Sequence, residues 1–152
     1  ALWEATTEKY QGHVERYIDE VLALGIESWG PEFFSKTIPG YFDWIRKHQN
    51  LYLMQTWLAA ERRSPKVDPE PRLEKIFEAI EQEQKRGVIR KDVDAKFIML
   101  ALWAMIETWI PFSRIFGMRT DTNLNTPEAD QKYIDTVIKI FLKGISCPAD
   151  KG

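Results

Sequence analysis

The stretch Phe97–Phe112, FIMLALWAMIETWIPF, decides the fold, because only one charge, that of Glu107, interrupts its sixteen residues. An amphipathic surface helix carries one apolar stripe, whereas this stretch is apolar on two sides. One side carries Ile98, Leu102, Met105, Trp109 and Phe112, and the other carries Leu100, Trp103 and Ile110. We therefore expect a central helix that is covered nearly all round.

Protein rather than lipid is expected to provide that cover. Lys96 and Arg114 bracket the stretch too closely for the ~20 apolar residues that span a bilayer, and Glu107 and Pro111 fall inside it. We therefore predict no membrane insertion. One side of the helix should meet the domain's own core, and the other should meet a second copy of the chain.

Length and composition indicate one intracellular domain, residues 1–152, with a single core. The net charge of −2 lacks the basic footprint of a protein that binds a duplex or an anionic membrane. One cysteine, Cys147, cannot form an internal disulfide, and no secretory signal is visible, so a cytoplasmic location is expected. The 6 Trp, 8 Phe and 5 Tyr suit a thick core, a cavity or a partner surface.

Apolar periodicity and turn residues divide the first half of the chain into helices. The first helix is expected from Leu2 to Leu24, with Gly25 as its stop. A short helix follows Pro31, and Pro39–Gly40 should separate it from a longer helix that runs from Tyr41 to about Glu61, with Asn50 as a candidate joint. The three prolines of Ser64–Pro71 predict an extended connection.

The second half of the chain also divides clearly into helices. One helix is expected from Pro71 to Gly87, and its acidic residues Glu78–Glu83 should form a solvated face. Asp92 or Asp94 should cap the central helix, residues 94–116, and Gly117 should close it. After a loop, Thr126 should cap the last helix, residues 126–145. No strand pattern appears, so we predict an all-α domain of about six helices.

Two of these helices carry more apolar surface than one domain needs. Spacing by three and four places Ala101, Ala104 and Thr108 in a shallow seam on the central helix, and the last helix carries two apolar rows. A monomer rarely exposes such a patch, and a two-fold copy would cover it by forming a four-helix bundle from 94–116 and 126–145. The predicted interface residues are Ala101, Ala104, Thr108, Ile134, Val137, Ile138 and Phe141. Alternatively, both helices are central in a six-helix monomer.

Two segments resemble the TetR family of transcriptional regulators. The segment EAIEQEQKRGVIRKDVDAKFIMLALWAMIETWI is similar to the family's ligand-binding half, in which a charged helix precedes Gly, an aliphatic residue, Arg and one or two Asp, and then a long apolar helix. Here those positions are Gly87, Ile89, Arg90, Asp92 and Asp94. The opening ALWEATTEKYQGHVERYIDEV resembles the helix that follows the family's DNA-binding module.

This resemblance implies a sensor without a reaction of its own. The last two helices would dimerise, and helices within residues 1–116 would enclose a small, apolar or aromatic effector. Effector binding would shift the spacing of two DNA-reading heads. The family's helix-turn-helix would lie before Ala1, so operator DNA is an expected partner only through residues outside this chain.

The candidate effector-binding residues are Trp44, His48, Met54, Trp57, Phe77, Trp103 and Glu107. A buried carboxylate needs water, a cation or a bound polar group, and Pro111 leaves the backbone carbonyl of Glu107 without its helical donor. The alternatives are that Glu107 pairs with Arg or Lys across a subunit contact or points to solvent. For His48 we favour a hydrogen-bonded boundary residue over a ligand contact. Met54, Trp57 and Phe77 are core by default, and they line a pocket only by hypothesis.

Catalysis, cofactors and metals find little support in the sequence. No plausible Cys and His pair, Gly-rich phosphate loop or Glu-x-x-His pair occurs, so we expect no enzyme, no cofactor and no metal site. The rival function is a helical module that binds another protein and has no small-molecule ligand. A sensor should contain an enclosed pocket of a few hundred Å³, whereas an interaction module should be filled.

Overall fold

The computed structural model describes residues 2–23, 29–61 and 71–147, and these residues form six helices. The helices are α1 (Leu2–Ala23), α2 (Pro31–Lys47), α3 (Gln49–Ala60), α4 (Pro71–Lys85), α5 (Ala95–Thr120) and α6 (Pro127–Ile145). In this part of the chain the only β-type pairing is an isolated antiparallel bridge between Ile89 and Ser146. The all-α prediction is confirmed. Gly25 and most of Ser64–Pro71 lie outside the described residues.

α2 runs without interruption through Pro39 and Gly40, so the predicted break at this point was wrong. An internal proline costs a helix about 3 kcal/mol, because it removes one hydrogen bond and crowds the preceding turn. Burial offsets this cost, since the side chains of Phe34, Ile38 and Ile45 keep at most 1% of their surface exposed. The actual joint is at His48, which separates α2 from α3 and whose ring Nδ1 lies 2.8 Å from the carbonyl oxygen of Trp44.

The core of the domain forms where α2, α5 and α6 pack against one another. The ring of Phe34 meets that of Phe141 edge to face, with centroids 5.1 Å apart, which fixes α2 against α6. Ile106 of α5 and Ile80 of α4 are fully buried in the same core. These contacts leave α5 covered on one side, while Phe97 and Leu100 on its other side are 65% and 55% exposed.

α5 ends at Thr120, so Gly117 does not close it as predicted. The left-handed residue that follows the helix is Asp121, with φ 50°. Gly117 has a different reason to be glycine, because a Cβ atom there would lie 2.5 Å from the carbonyl oxygen of Thr122. The chain turns back across this position, which only a residue without a side chain permits.

The other predicted helix ends agree closely with the structure. The hydroxyl of Thr126 accepts a hydrogen bond from the amide of Ala129 at 3.2 Å and so caps α6. Asp94 caps α5 by accepting from the amide of Lys96 at 2.8 Å. Beyond the end of α4, Gly87 adopts a φ of 75°, which favours glycine.

The acidic face of α4 is not solvated throughout, because Glu83 is 3% exposed and was wrongly placed on that face. The link after α4 folds back over it, with the amides of Val88 and Ile89 donating to the carbonyl of Glu83 at 3.0 and 3.3 Å. The side chain of Arg86 pairs with the buried carboxylate at 2.9 Å. The same link continues to the end of α6, where the amide of Arg90 donates to the carbonyl of Ile145 at 2.9 Å.

Among the described helices, α5 is the one that is long and apolar enough to cross a membrane by length and composition. The core helix of a soluble protein has the same length and composition. Only 33% of its apolar window is buried within the chain. The described residues therefore leave much of the apolar surface of α5 uncovered.

Candidate functional site

The site is centred on the carboxylate of Glu107, which α5 directs towards α2 and α3. The hydroxyl of Tyr41 on α2 donates to Oε1 of Glu107 at 2.5 Å, and the hydroxyl of Tyr52 on α3 forms a second hydrogen bond with this carboxylate. Burial raises the pKa of Glu107, while the two tyrosine hydrogen bonds act in the opposite direction. Three helices thus meet at one acidic side chain.

Aromatic side chains extend from this carboxylate towards α1. The ring of Tyr41 lies parallel to that of Trp44, with centroids 6.1 Å apart, and Tyr17 of α1 packs against both at 5.3 and 5.4 Å. Trp44 also contacts His48, whose ring lies 4.7 Å from that of His13 on α1. We call Tyr17, Tyr41, Trp44 and His48 the aromatic cluster. Burial raises the pKa of Tyr17, so its hydroxyl stays protonated.

The grouping of these rings follows from the helical periodicity of α2. Tyr41, Trp44 and His48 are spaced by three and four, so they project from one face of α2. The adjoining face of α2 carries the side chains buried in the core. Each aromatic residue of the cluster is half-buried, and the cluster therefore combines ring surface with a carboxylate at the boundary of the core.

A groove of about 550 Å³ lies elsewhere, between the end of α4 and the start of α5. Its lining residues include the acids Glu81, Asp92 and Asp94 and the bases Lys85 and Lys91. Such a surface of mixed charge does not resemble the apolar pocket that an aromatic effector requires. The Glu107 site and this groove are separate features of the domain.

Comparison with known families identifies the family of this domain. The family described as the tetracyclin repressor-like, C-terminal domain matches residues 38–138, which is more than half of the chain. The chain belongs to the TetR family. The matched region includes Tyr41, Tyr52 and Glu107 and ends within α6. No curated protein and no solved structure shows significant similarity to the chain.

Membership of the TetR family indicates the general role of this domain. Domains of this kind serve regulators as ligand-binding and dimerisation domains, and they are generally not enzymes. They typically dimerise and bind small-molecule effectors, and the regulators that carry them are generally soluble cytoplasmic proteins. The fold, with six helices and a long apolar α5, is consistent with that role.

The structure brings together three of the residues that the sequence singled out for effector binding in the TetR-like domain. Trp44, His48 and Glu107 belong to one set of contacts through Tyr41. Trp103 lies one turn before Glu107 on α5 and is half-buried against the core. Met54 is half-buried on α3, and Trp57 on the same helix is 43% exposed.

Phe77 lies apart from this set. The ammonium of Lys96 sits 5.5 Å from the centre of the Phe77 ring, which places Phe77 beside the start of α5. At ~1.5 Å per residue, Lys96 and Glu107 are roughly 16 Å apart along the helix axis. Phe77 therefore packs at the α4–α5 contact rather than beside the carboxylate.

Sequence reasoning missed the two tyrosines that bind Glu107. Tyr41 and Tyr52 occupied the same predicted helical face as Trp44 and His48, but they were not selected as site residues. A signal was present, because a carboxylate in an apolar wall requires hydrogen-bond donors, and a tyrosine supplies a donor on an apolar ring. The partner could have been sought among the tyrosines of that face.

The residues predicted for the dimer interface of the TetR-like domain separate into two groups. Ala101, Ala104 and Thr108 are exposed on α5. Ile134, Val137 and Phe141 are only 3%, 3% and 4% exposed, because α6 presents them to its own chain's core, where Phe141 packs on Phe34 of α2. These three were expected to face a partner and instead face the core. Ile138 is half-buried at its edge.

Proposed function

We propose that this chain is the effector-binding and dimerisation domain of a TetR-type transcriptional regulator, and that it senses a small apolar or aromatic molecule. The observation that carries the proposal is the position of Glu107, which joins the aromatic cluster to α5 through Tyr41. Any molecule that displaces the Tyr41 hydroxyl or packs on these rings changes the contact between α2 and α5. The proposed sensor therefore acts on the helix that carries the proposed dimer surface.

The proposed dimer surface is the exposed side of α5. On this side of α5, helical spacing aligns large apolar residues with the small residues of the predicted seam. The aligned residues extend over roughly 32 Å of the helix, at a rise of ~1.5 Å per residue. This surface, the α5 face, consists of Phe97, Leu100, Ala101, Ala104, Thr108, Phe112, Ile115 and Met118. Its large members are 47% to 76% exposed, and Ile140 of α6 is 60% exposed. A second copy would remove this apolar surface from water.

Control of DNA binding is proposed to pass through the dimer. A helix-turn-helix that precedes α1 in the regulator would be positioned by the packing of α1 on the aromatic cluster, in which Tyr17 contacts Tyr41 and Trp44. An effector that alters this packing in both subunits would change the separation of two DNA-reading helices. The location proposed for the regulator is the cytoplasm, where operator DNA and small metabolites meet.

Ligand-dependent thermal melting tests the sensor function. Hydrophobic and aromatic small molecules are screened against the purified domain, because a ligand at 100 times its Kd stabilises the folded state by about 2.7 kcal/mol. For a domain of this size we expect the melting temperature to rise by roughly 5–10 °C with an effector. The variant Trp44→Ala should lose that shift, whereas Trp57→Ala, on α3 and 43% exposed, should lose less of it.

Light scattering during size exclusion distinguishes the proposed sensor from the alternative function, a helical module that binds another protein. A dimer that melts higher with one ligand class supports the sensor, whereas a monomer with no response to any class supports the helical interaction module. The exposed α5 face would then serve a different protein.

A further inference from the structure

We propose that the effector carries a positively charged nitrogen, which the carboxylate of Glu107 binds while the aromatic cluster packs against the rest of the molecule. This inference rests on the proposed effector-binding function and names the chemical class of the ligand. It follows from the partners of Glu107, from the other enclosed carboxylates of the chain, and from the nature of the neighbouring rings.

Within residues 2–23, 29–61 and 71–147, the hydrogen-bond partners of Glu107 are the hydroxyls of Tyr41 and Tyr52, and no ion pair involves this residue. Two neutral hydrogen-bond donors compensate only part of the hydration free energy that a carboxylate loses on burial. A cation in contact with the carboxylate compensates more of it. Burial raises the pKa of Glu107 more than the two tyrosine hydrogen bonds lower it, as expected for an enclosed carboxylate that has no cation beside it.

The two other enclosed carboxylates of the described chain do have cationic partners. Asp130, whose side chain is 14% exposed, pairs with the guanidinium of Arg46 at 2.6 Å. Glu83, whose side chain is 3% exposed, pairs with Arg86 at 2.9 Å. An arginine therefore balances each of these acids from within the chain. At Glu107 the corresponding position is filled by tyrosine, and a ligand can supply the missing charge.

The aromatic cluster suits a cationic ligand for a second reason. The faces of Trp and Tyr rings attract a cation within about 6 Å of the ring centroid, and the attraction grows when water is excluded. Tyr41 donates its hydroxyl to Glu107 and stacks its ring on that of Trp44, so the carboxylate adjoins the rings of the cluster. Trp44 and Tyr17 are half-buried and keep some accessible ring surface.

An anionic ligand would be repelled by the carboxylate, and a neutral one would leave it uncompensated. A molecule with an aromatic body and an ammonium, amidinium or quaternary nitrogen meets both parts of the site. The nitrogen would lie against Glu107, and the aromatic body would stack on Trp44.

Three bicyclic aromatic probes of similar size and different charge test this inference. N-Methylquinolinium is cationic, quinoline is neutral at mildly alkaline pH, and naphthoate is anionic. Their affinities for the purified domain are measured by isothermal titration calorimetry. We expect the cation to bind about tenfold or more tightly than quinoline, and naphthoate to bind most weakly.

The variant Glu107→Gln keeps an acceptor for Tyr41 but removes the charge. It should weaken binding of N-methylquinolinium about tenfold or more and leave that of quinoline unchanged. The matched control is Glu78→Gln, because Glu78 is an exposed residue of α4 and the change in net charge is the same. This control should leave all three affinities unchanged.

The outcomes separate the ligand class from the function. If quinoline binds at least as tightly as the cation, or if Glu107→Gln leaves the affinity for the cation intact, the charge inference is overturned while effector binding stands. If none of the three probes binds, the charge inference is overturned as well, and the wider melting screen decides the proposed function on its own.

Discussion

Replacing Asp130 by alanine should destabilise the domain more than the same change at Glu128, the other acid in the first turn of α6. The carboxylate of Asp130 joins three helices, since it accepts from the indole Nε1 of Trp109 on α5 at 2.5 Å and pairs with Arg46 of α2 at 2.6 Å. Trp109 in turn stacks on Tyr133, with ring centroids 4.3 Å apart. Removing the carboxylate leaves an indole donor and a guanidinium without their shared acceptor.

The magnitude follows from three contributions. A charged hydrogen bond such as that from Trp109 contributes about 1.5–3 kcal/mol. The ion pair contributes about 1 kcal/mol, because 31% of the Arg46 side chain remains exposed and solvent screens the interaction. An acid in the first turn gains about 0.3–1 kcal/mol from the helix dipole. The contributions overlap, so we expect a loss of about 3 kcal/mol, which lowers the melting temperature by roughly 6–12 °C.

Urea unfolding of Asp130→Ala, followed by tryptophan fluorescence, measures this loss. The matched control is Glu128→Ala, because Glu128 is an exposed acid in the same helical turn and experiences the same helix dipole. It should cost less than about 1 kcal/mol. In a double-mutant cycle, Arg46→Met and Asp130→Ala should show a coupling energy of about 1 kcal/mol. Equal losses for Asp130→Ala and Glu128→Ala would refute the role assigned to this network.

Three further predictions concern α5. Ala104→Glu should convert the proposed dimer to a monomer, as measured by light scattering. The control Ala5→Glu, on the exposed side of α1, should not. A dimeric Ala104→Glu variant would argue against the α5 face as the dimer interface. Burial raises the pKa of Glu107, so the folded state binds the proton of this carboxyl group more tightly than the unfolded chain does. The stability that Glu107 contributes is therefore full in acid, and it falls as the pH rises through the raised pKa. Glu107→Gln should remove that fall in urea unfolding measured across pH, and an unchanged pH profile would contradict the burial of this carboxylate. Gly117→Ala should lower the melting temperature, because its Cβ would lie 2.5 Å from the carbonyl oxygen of Thr122; an unchanged melting temperature would show that the turn can move.

Local chemistry was sufficient for the helix boundaries that depend on a few neighbouring residues. Thr126 followed by Pro127 predicted the start of α6, Asp94 was one of two residues predicted to cap α5, and Gly87 was predicted to end α4. Each of these signals acts through hydrogen bonds or backbone angles within one turn of the chain. Such signals can be read without knowledge of the rest of the fold.

The boundaries that failed depend on contacts between distant segments. Pro39 predicted a break by local rules, yet the burial of Phe34 and Ile38 keeps α2 continuous. Gly117 was predicted to end a helix. The residue is glycine for another reason, because the chain passes so close at Thr122 that a side chain at position 117 would clash. In both cases a packing contact outweighed a local preference.

The sequence by itself determined that the domain is helical, that α5 carries more apolar surface than one core can use, and that Glu107 requires a partner. Only the tertiary structure decided which sides are covered: α6 turns Ile134, Val137 and Phe141 towards the core, and α2 and α3 supply Tyr41 and Tyr52 to Glu107. The physical reason is that helical periodicity shows which residues share a face, whereas the packing of the helices determines what each face meets.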